Sequence, residues 1–370
     1  MTGILSTLGN NNIHLSKMLC LSRDNPAVMK KVFRLLEDEV KAANNPRLID
    51  APCYLHPTHT AFKNGVKALK MNLVSLLGNL HGFFKTSSAR REDMVELREE
   101  LAEELQDQLE EVCDQFFLRH VDTRWLEAQH CIERLLDHWE STIEYFMVYL
   151  PNSNLQNNKL AIKSKKYKNI AVHLCQDEVI KTKIRCKFLV MLAKSSRTFL
   201  TLLQSEKPMI HLLQDLAFDM FSRLGNLVIR PENRPSKASK VKEVDLKNSS
   251  NLLPARAGGF LACCTEDLDK LRSEDRQDMR RELRDSLVAM LLYLQANLPW
   301  DKTLYTHLSF LDPLKRTATE TPSYGVAVAG HLNRFTDEQK VNLSVLLNQF
   351  QALPSAQVLF TYTDAHINST

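Results

Sequence analysis

The segment CYLHPTHTAF places a thiol and two imidazoles at regular intervals. Cys53, His56 and His59 carry side chains of the types that bind zinc. A structural zinc site commonly takes four such ligands from two paired groups, and here there is only one group. The nearest further candidates, His81 and Cys113, do not form a second pair. Two interpretations therefore stay open: a metal site, or a buried thiol beside hydrogen-bonded histidines.

Nucleophilic catalysis is a weaker interpretation of the same segment. A catalytic Cys–His pair needs a third group that orients the base, and the sequence identifies no such group for Cys53 and His56. The glycine-containing segment ARAGGF lacks the lysine and the leading strand of a phosphate-binding loop. In HVDTRWL, Arg124 and Trp125 form either a surface cation–π pair or a buried tryptophan beside an ion-paired arginine; the second is favoured.

Two further segments are strongly charged. From Met94 to Phe116, apolar residues recur every three or four positions opposite an almost entirely acidic face. A solvated helix face is the favoured interpretation, and a helix that pairs with a partner along a heptad-like seam is the alternative. The segment KLAIKSKKYKNIA predicts a solvated basic face, with contact to phosphates as the alternative. Its lysines are Lys159, Lys163, Lys165, Lys166 and Lys168.

The composition indicates which elements must position these side chains. The chain has 370 residues, 44% hydrophobic and 25% charged, as in an ordinary soluble globular protein. Only 10 glycines and 13 prolines punctuate it, which favours long helices over a sandwich or barrel. A net charge of +4 is too small to imply nucleic-acid binding. Scattered cysteines, with no signal peptide or membrane-length apolar run, predict a nuclear or cytoplasmic protein without membrane contact.

The pattern predicts one α/β unit followed by a helical array. An apolar strand at 18–23 ends at Asp24, and Asn25 and Pro26 then suit the start of a helix. The segment AQVLFTY near the C-terminus is a candidate strand, and the polar stretch near 230–259 is a candidate flexible loop. Further helices are predicted at 125–149, 160–176, 179–204, 208–229, 274–297 and 336–352.

In their order, LSRDNPAVMKK, CYLH, FFKTSSARRED, HVDTRWL and LLQSEKPMIHLL resemble the hAT superfamily of DNA transposases, in particular the transposase-derived proteins of animal genomes. The resemblance covers most of the chain. It implies an RNase H-like α/β core interrupted by a helical insertion domain. It also implies that Asp24 is the second acidic residue of an Asp-Asp-Glu triad. Cys53 and His56 match the family's Cys-x-x-His, and Arg124 and Trp125 its Arg-Trp.

The sequence also departs from the family pattern. The strand that carries the first aspartate is expected before the segment where this chain begins. Gln349 stands where the glutamate is expected, with Asp337 or Glu338 as a less favoured replacement. No Cys-x-x-Cys followed by paired histidines matches the family's BED-type zinc finger. Without the preceding strands, the strand at 18–23 is expected to lack the neighbours it was shaped to pair with and to be less ordered than the helices.

These observations predict a mostly α fold, in which a helical insertion array is attached to a truncated RNase H-like core with few strands. The expected domains are a partial core at 1–85, a helical domain at 86–310 with the flexible loop, and a C-terminal segment at 311–370 that returns to the core.

The predicted function follows from the missing carboxylates. Two-metal strand transfer needs several carboxylates, so Asp24 without its partners predicts a catalytically inactive, domesticated transposase. The expected role is protein interaction or self-association, with no cofactor and with DNA binding unsupported by the net charge. One alternative is a nuclease fragment that uses Mg²⁺ or Mn²⁺ and is active only in a longer product. Another is a helical adaptor unrelated to nucleic acid.

Overall fold

The computed structural model describes residues 2–24, 27–43, 48–105, 117–120, 126, 128–205, 209–312, 314–315, 317, 320–332 and 334–353. Within these residues the chain forms seventeen α-helices and one sheet of two strands, which confirms the mostly α prediction. The strands are β1 (Cys20–Arg23) and β2 (Ile49–Pro52). The helices are α1 (Thr2–Asn10), α2 (Ala27–Ala42), α3 (Leu55–Ala68), α4 (Leu73–Phe84), α5 (Ser88–Leu105), α6 (Ala128–Asp137), α7 (Trp139–Ile143), α8 (Leu150–Asn152), α9 (Gln156–Lys163), α10 (Lys165–Leu174), α11 (Val179–Leu203), α12 (Leu213–Asn226), α13 (Thr265–Asp269), α14 (Ser273–Asn297), α15 (Thr303–Leu308), α16 (Thr321–Leu332) and α17 (Asp337–Ala352).

The N-terminal part of the chain is a β1–α2–β2 unit. The two strands are parallel, as strands joined by a crossover helix must be when they lie side by side, with Cys20 opposite Ile49 and Arg23 opposite Pro52. This part of the chain has a small apolar core of its own, built on Leu36 and Val40 of α2 and on Leu48, which precedes β2. This unit therefore has a hydrophobic core separate from that of the helical body.

The strand predicted at 18–23 has a parallel neighbour, because β1 pairs with β2 along its length. The C-terminal part of the chain also reaches this strand, since Arg334 Nη2 donates a hydrogen bond to the Met18 carbonyl at 2.6 Å. The predicted strand AQVLFTY lies outside the described residues.

The helical body is organised around α3 and α14, which pack closely along each other. Gly65 allows this approach: a Cβ atom there would lie 3.3 Å from the Ser286 carbonyl oxygen. Ser286 Oγ donates a hydrogen bond to the Gly65 carbonyl at 2.7 Å, which satisfies the buried hydroxyl. One apolar core extends from Tyr54 to Tyr305 through these helices. None of the described helices combines the length and apolar character that a bilayer crossing requires.

Charged groups also lie inside this body. Arg185 on α11 donates two hydrogen bonds to Glu282 on α14, at 2.8 and 3.1 Å. The same Glu282 carboxylate accepts from the Lys70 backbone nitrogen at 2.7 Å, and Arg185 also pairs with Glu178 at 2.9 Å. The side chains of Arg185 and Glu282 are only 4% and 6% exposed. This pair ties α11 and α14 to the end of α3, and each charge depends on the other because neither is solvated.

The segment near 230–259 is not the flexible loop that the sequence predicts. It forms short 3₁₀ turns against the helical body and buries Val241, Leu246 and Leu252. Gln295 on α14 donates hydrogen bonds to the Val241 and Val244 carbonyls at 2.8 and 2.7 Å. The prediction failed because the buried residues are spaced irregularly and show neither a helical nor a strand period.

We expect Glu282→Ala to lower the free energy of unfolding by about 3–5 kcal/mol, because it leaves the buried Arg185 guanidinium without its main partner. Urea denaturation monitored by circular dichroism measures this change. Asp278→Ala on the same helix is the matched control. Its exposed pair with Arg281 predicts a change within about 0.5 kcal/mol. An equal loss of unfolding free energy in Glu282→Ala and Asp278→Ala would contradict a stabilising role for the buried pair of Arg185 with Glu282.

Candidate functional site

The residues singled out by the sequence meet at the carboxyl edge of the small sheet. Asp24 follows β1, Cys53 follows β2, and His56 lies in the first turn of α3. Parallel strands end at the same edge, and ligands of α/β proteins bind there. The Asp24 Oδ1 and His56 Nδ1 atoms are 4.0 Å apart, with side chains 58% and 50% exposed. Asp24 and His56 therefore lie near each other, but their contact is long and solvated and contributes little stability.

The strongest interaction at this edge involves residues that the sequence analysis missed. Arg23 Nε and Nη2 donate hydrogen bonds to the two carboxylate oxygens of Asp50, at 2.8 and 2.7 Å. Its Nη1 donates to the backbone carbonyl of Asp24 at 3.1 Å. The Arg23 side chain is 5% exposed and that of Asp50 30%. A planar guanidinium thus fastens β1 to β2 in the bidentate geometry that is strongest for this pair of groups.

The pairing of Arg23 with Asp50 affects whether divalent cations can bind at the carboxyl edge of the sheet. Magnesium binds through carboxylate oxygens and water. On β2, both oxygens of Asp50 already accept hydrogen bonds from Arg23, whose positive charge opposes a cation beside them. In the part of the chain that the structure describes, no three His, Cys, Asp or Glu side chains converge as metal ligands. The described residues at this edge do not fit a two-metal centre.

Gln349, which the resemblance aligns with the expected glutamate, and its two candidate replacements lie at opposite ends of α17. Gln349 is exposed near the C-terminal end of α17. Asp337 and Glu338 lie in the first turn, next to a capping box formed by Thr336 and Gln339. Negative charge at that end of a helix is stabilised by the helix dipole. Both acids therefore have a structural role at the helix terminus.

His59, the second histidine of CYLHPTHTAF, is a structural residue. It is buried, and its Nδ1 atom accepts a hydrogen bond from the Leu126 backbone nitrogen at 3.2 Å. Leu126 is itself buried. Its neighbours Arg124 and Trp125 lie outside the described residues. For His59, the buried and hydrogen-bonded alternative of the sequence analysis is the one the structure supports.

A cavity of about 490 Å³ lies beside the first half of β2, between the β1–α2–β2 unit and α15. Asp50, Lys302 and Tyr305 contribute to its wall, and burial lowers the pKa of Lys302. Tyr305 Oη lies 3.3 Å from the Tyr54 hydroxyl, and burial raises the pKa of both phenols. Both hydroxyls therefore stay protonated near neutral pH and help to join α15 to the end of β2.

Comparison with known proteins adds no assignment to this geometry. No protein-family model matches the chain, and no curated protein and no solved structure matches it. The resemblance to hAT transposases is therefore carried by the quoted motifs alone.

We expect Arg23→Ala to weaken the pairing of β1 with β2, because it removes both hydrogen bonds to Asp50. A charge-assisted hydrogen bond contributes about 1.5–3 kcal/mol, so the amides of β1 should exchange with solvent about tenfold faster or more. Hydrogen exchange measured by mass spectrometry or NMR tests this. His56→Ala, which removes only the exposed contact with Asp24, should leave β1 exchange unchanged. If the β1 amides exchanged faster in His56→Ala and not in Arg23→Ala, the contact of His56 with Asp24 would be the stabilising one, and our interpretation would be wrong.

Proposed function

We propose that this chain is a catalytically inactive, transposase-derived protein whose helical body serves as an interaction or self-association module in the nucleus or cytoplasm. The observation that carries the first half of the proposal is the bidentate pair of Arg23 with Asp50. In this pair the Arg23 guanidinium on β1 binds both oxygens of the Asp50 carboxylate on β2. The order of motifs that resembles hAT transposases supports the derivation from a transposase.

The chemistry of strand transfer explains why this arrangement matters. Two divalent cations about 4 Å apart clamp the attacking and leaving oxygens, and the carboxylates that hold them must bridge or chelate both ions. Asp24 is exposed at this edge, and the nearby imidazole of His56 is a weak ligand for magnesium. Gln349 offers a neutral amide where the resemblance predicts a glutamate, so it supplies no negative charge to the site.

The proposed interaction role is supported by the rigid packing of the helical body. Most of the described residues belong to one helical body with a continuous core, held by the buried pair of Arg185 and Glu282. Helices that expose charged or apolar faces on a rigid body are suited to contacts with other proteins.

We expect the full chain to nick supercoiled plasmid DNA, in the presence of Mg²⁺ or Mn²⁺, no faster than its Asp24→Ala variant. The physical reason is the lack of a carboxylate set able to hold two cations. Agarose gel electrophoresis of plasmid time courses measures the rate. Asp337→Asn and Glu338→Gln test the alternative acidic residues.

Metal-dependent nicking by the wild-type chain that disappears in Asp24→Ala would overturn the proposal. It would favour the alternative of a nuclease. Nicking that survives Asp24→Ala but disappears in the α17 variants would also overturn it, because it would place a working carboxylate on that helix.

A further inference from the structure

Two histidines from different helices meet where α15 and α16 pack together. The His307 Nδ1 and His331 Nε2 atoms lie 3.3 Å apart, and the centroids of the two rings are 5.4 Å apart. Each histidine lies in the last turn of its helix, and both are half-buried. The two residues are 24 positions apart in the chain, so no local pattern in the sequence indicates the pair.

The separation of these two nitrogens is long for a hydrogen bond and suits a shared metal ion. N–H donors usually lie about 2.7–3.2 Å from their acceptors. Two imidazole nitrogens that bind one tetrahedral zinc ion, each about 2.0–2.1 Å from the metal, are about 3.3–3.4 Å apart. The 3.3 Å between His307 Nδ1 and His331 Nε2 therefore matches one edge of a zinc tetrahedron.

Neighbouring side chains orient the two rings. Tyr324 of α16 packs against His307, with ring centroids 5.1 Å apart. Thr303 Oγ1 of α15 lies 3.5 Å from His331 Nε2, where its hydroxyl can hydrogen-bond to a water molecule on a bound ion. Both rings are thus held by the packing of α15 against α16, and such preorganisation lowers the cost of binding.

The surroundings of the pair admit water and favour a positive charge. His331 and Thr303 line the cavity of about 490 Å³ beside β2, from which water can complete the coordination of an ion. His331 lies at the C-terminal end of the twelve-residue helix α16, where the helix dipole places partial negative charge. The carboxylates of Asp50 and Asp301 on the cavity wall are already held in ion pairs, so we assign them no role as ligands.

The donor set selects the kind of ion. Imidazole nitrogens suit zinc, copper and nickel, whereas magnesium, calcium and manganese prefer oxygen ligands. Within the described ranges of the chain, no third His, Cys, Asp or Glu side chain converges with the two imidazoles. Water therefore fills the remaining positions, and the affinity is lower than that of a structural site with four protein ligands.

We propose that His307 and His331 bind one zinc ion, which clamps α15 to α16. In this state the other nitrogen of each neutral ring, His307 Nε2 and His331 Nδ1, carries the proton. Because α16 packs against α17, the clamp would also stabilise the position of the C-terminal helices on the helical body. The site uses none of the residues at the carboxyl edge of the sheet, so it is independent of the proposed loss of catalysis.

Isothermal titration of the full chain with zinc chloride tests the proposal. The wild type should bind one zinc ion at this pair with a dissociation constant of about 100 μM or tighter. His307→Ala and His331→Ala should each weaken this site at least about tenfold, because one imidazole with water holds zinc poorly. Thiols elsewhere, such as the exposed Cys20, are the same in all these proteins, so the difference between the titration curves reports the pair.

The matched control is His130→Ala. His130 lies on α6 with its side chain 59% exposed, and its Nδ1 atom is 3.6 Å from Glu133 Oε2. This variant should bind zinc like the wild type. Hydrogen exchange then locates the ion: zinc should slow the exchange of α15 and α16 amides in the wild type and in the control, but not in His307→Ala or His331→Ala.

His331→Cys separates metal binding from a purely structural contact between the rings. A thiolate is also a zinc ligand, so this variant should bind zinc within about tenfold of the wild-type affinity. With Co²⁺ it should gain ultraviolet absorption from thiolate-to-metal charge transfer, relative to the wild type. Replacement of a structural imidazole contact by cysteine would restore neither property.

Three results would overturn the proposal. The first is that His307→Ala and His331→Ala titrate like the wild type. The second is that zinc slows exchange in other helices and leaves α15 and α16 unchanged. The third is that Mg²⁺ or Mn²⁺ displaces zinc from the pair at about equal concentration, because the ligands would then be oxygen atoms. None of these results would restore catalysis at the sheet edge, and metal-dependent nicking of DNA would leave the zinc site untouched.

Discussion

The guanidinium of Arg23 is the group on which the account of the candidate site depends. It holds both carboxylate oxygens of Asp50 and the backbone carbonyl of Asp24, so it joins the two strands where a catalytic α/β edge would present free ligands. A nearly buried arginine needs such partners to offset its lost hydration. The interaction that stabilises the two-stranded sheet therefore also occupies the Asp50 carboxylate, which is then not free to bind a divalent cation.

The two parts of the molecule have separate hydrophobic cores. The β1–α2–β2 unit keeps its own small core, while the helical body has a continuous core around α3 and α14. If catalysis has been lost at the sheet edge, as we propose, selection on the remaining surface would act through the helices.

Long helices could be predicted from the sequence because their apolar period repeats over several turns. The helix predicted at 179–204 is observed at Val179–Leu203, and the one predicted at 274–297 at Ser273–Asn297. The packed segment near 230–259 could not be predicted, since its few buried residues follow no period. The pairing of Arg23 with Asp50 could not be predicted either. It depends on the parallel register of two strands with a helix between them, which no local pattern encodes.

Titration of the full chain with Mn²⁺, followed by electron paramagnetic resonance, tests the central claim most directly. We predict that the wild type and Asp24→Ala give the same binding curve, with no site tighter than about 1 mM. An additional site in the wild type that disappears in both Asp24→Ala and Asp50→Asn would contradict the account, because it would show that the sheet edge still holds a divalent cation.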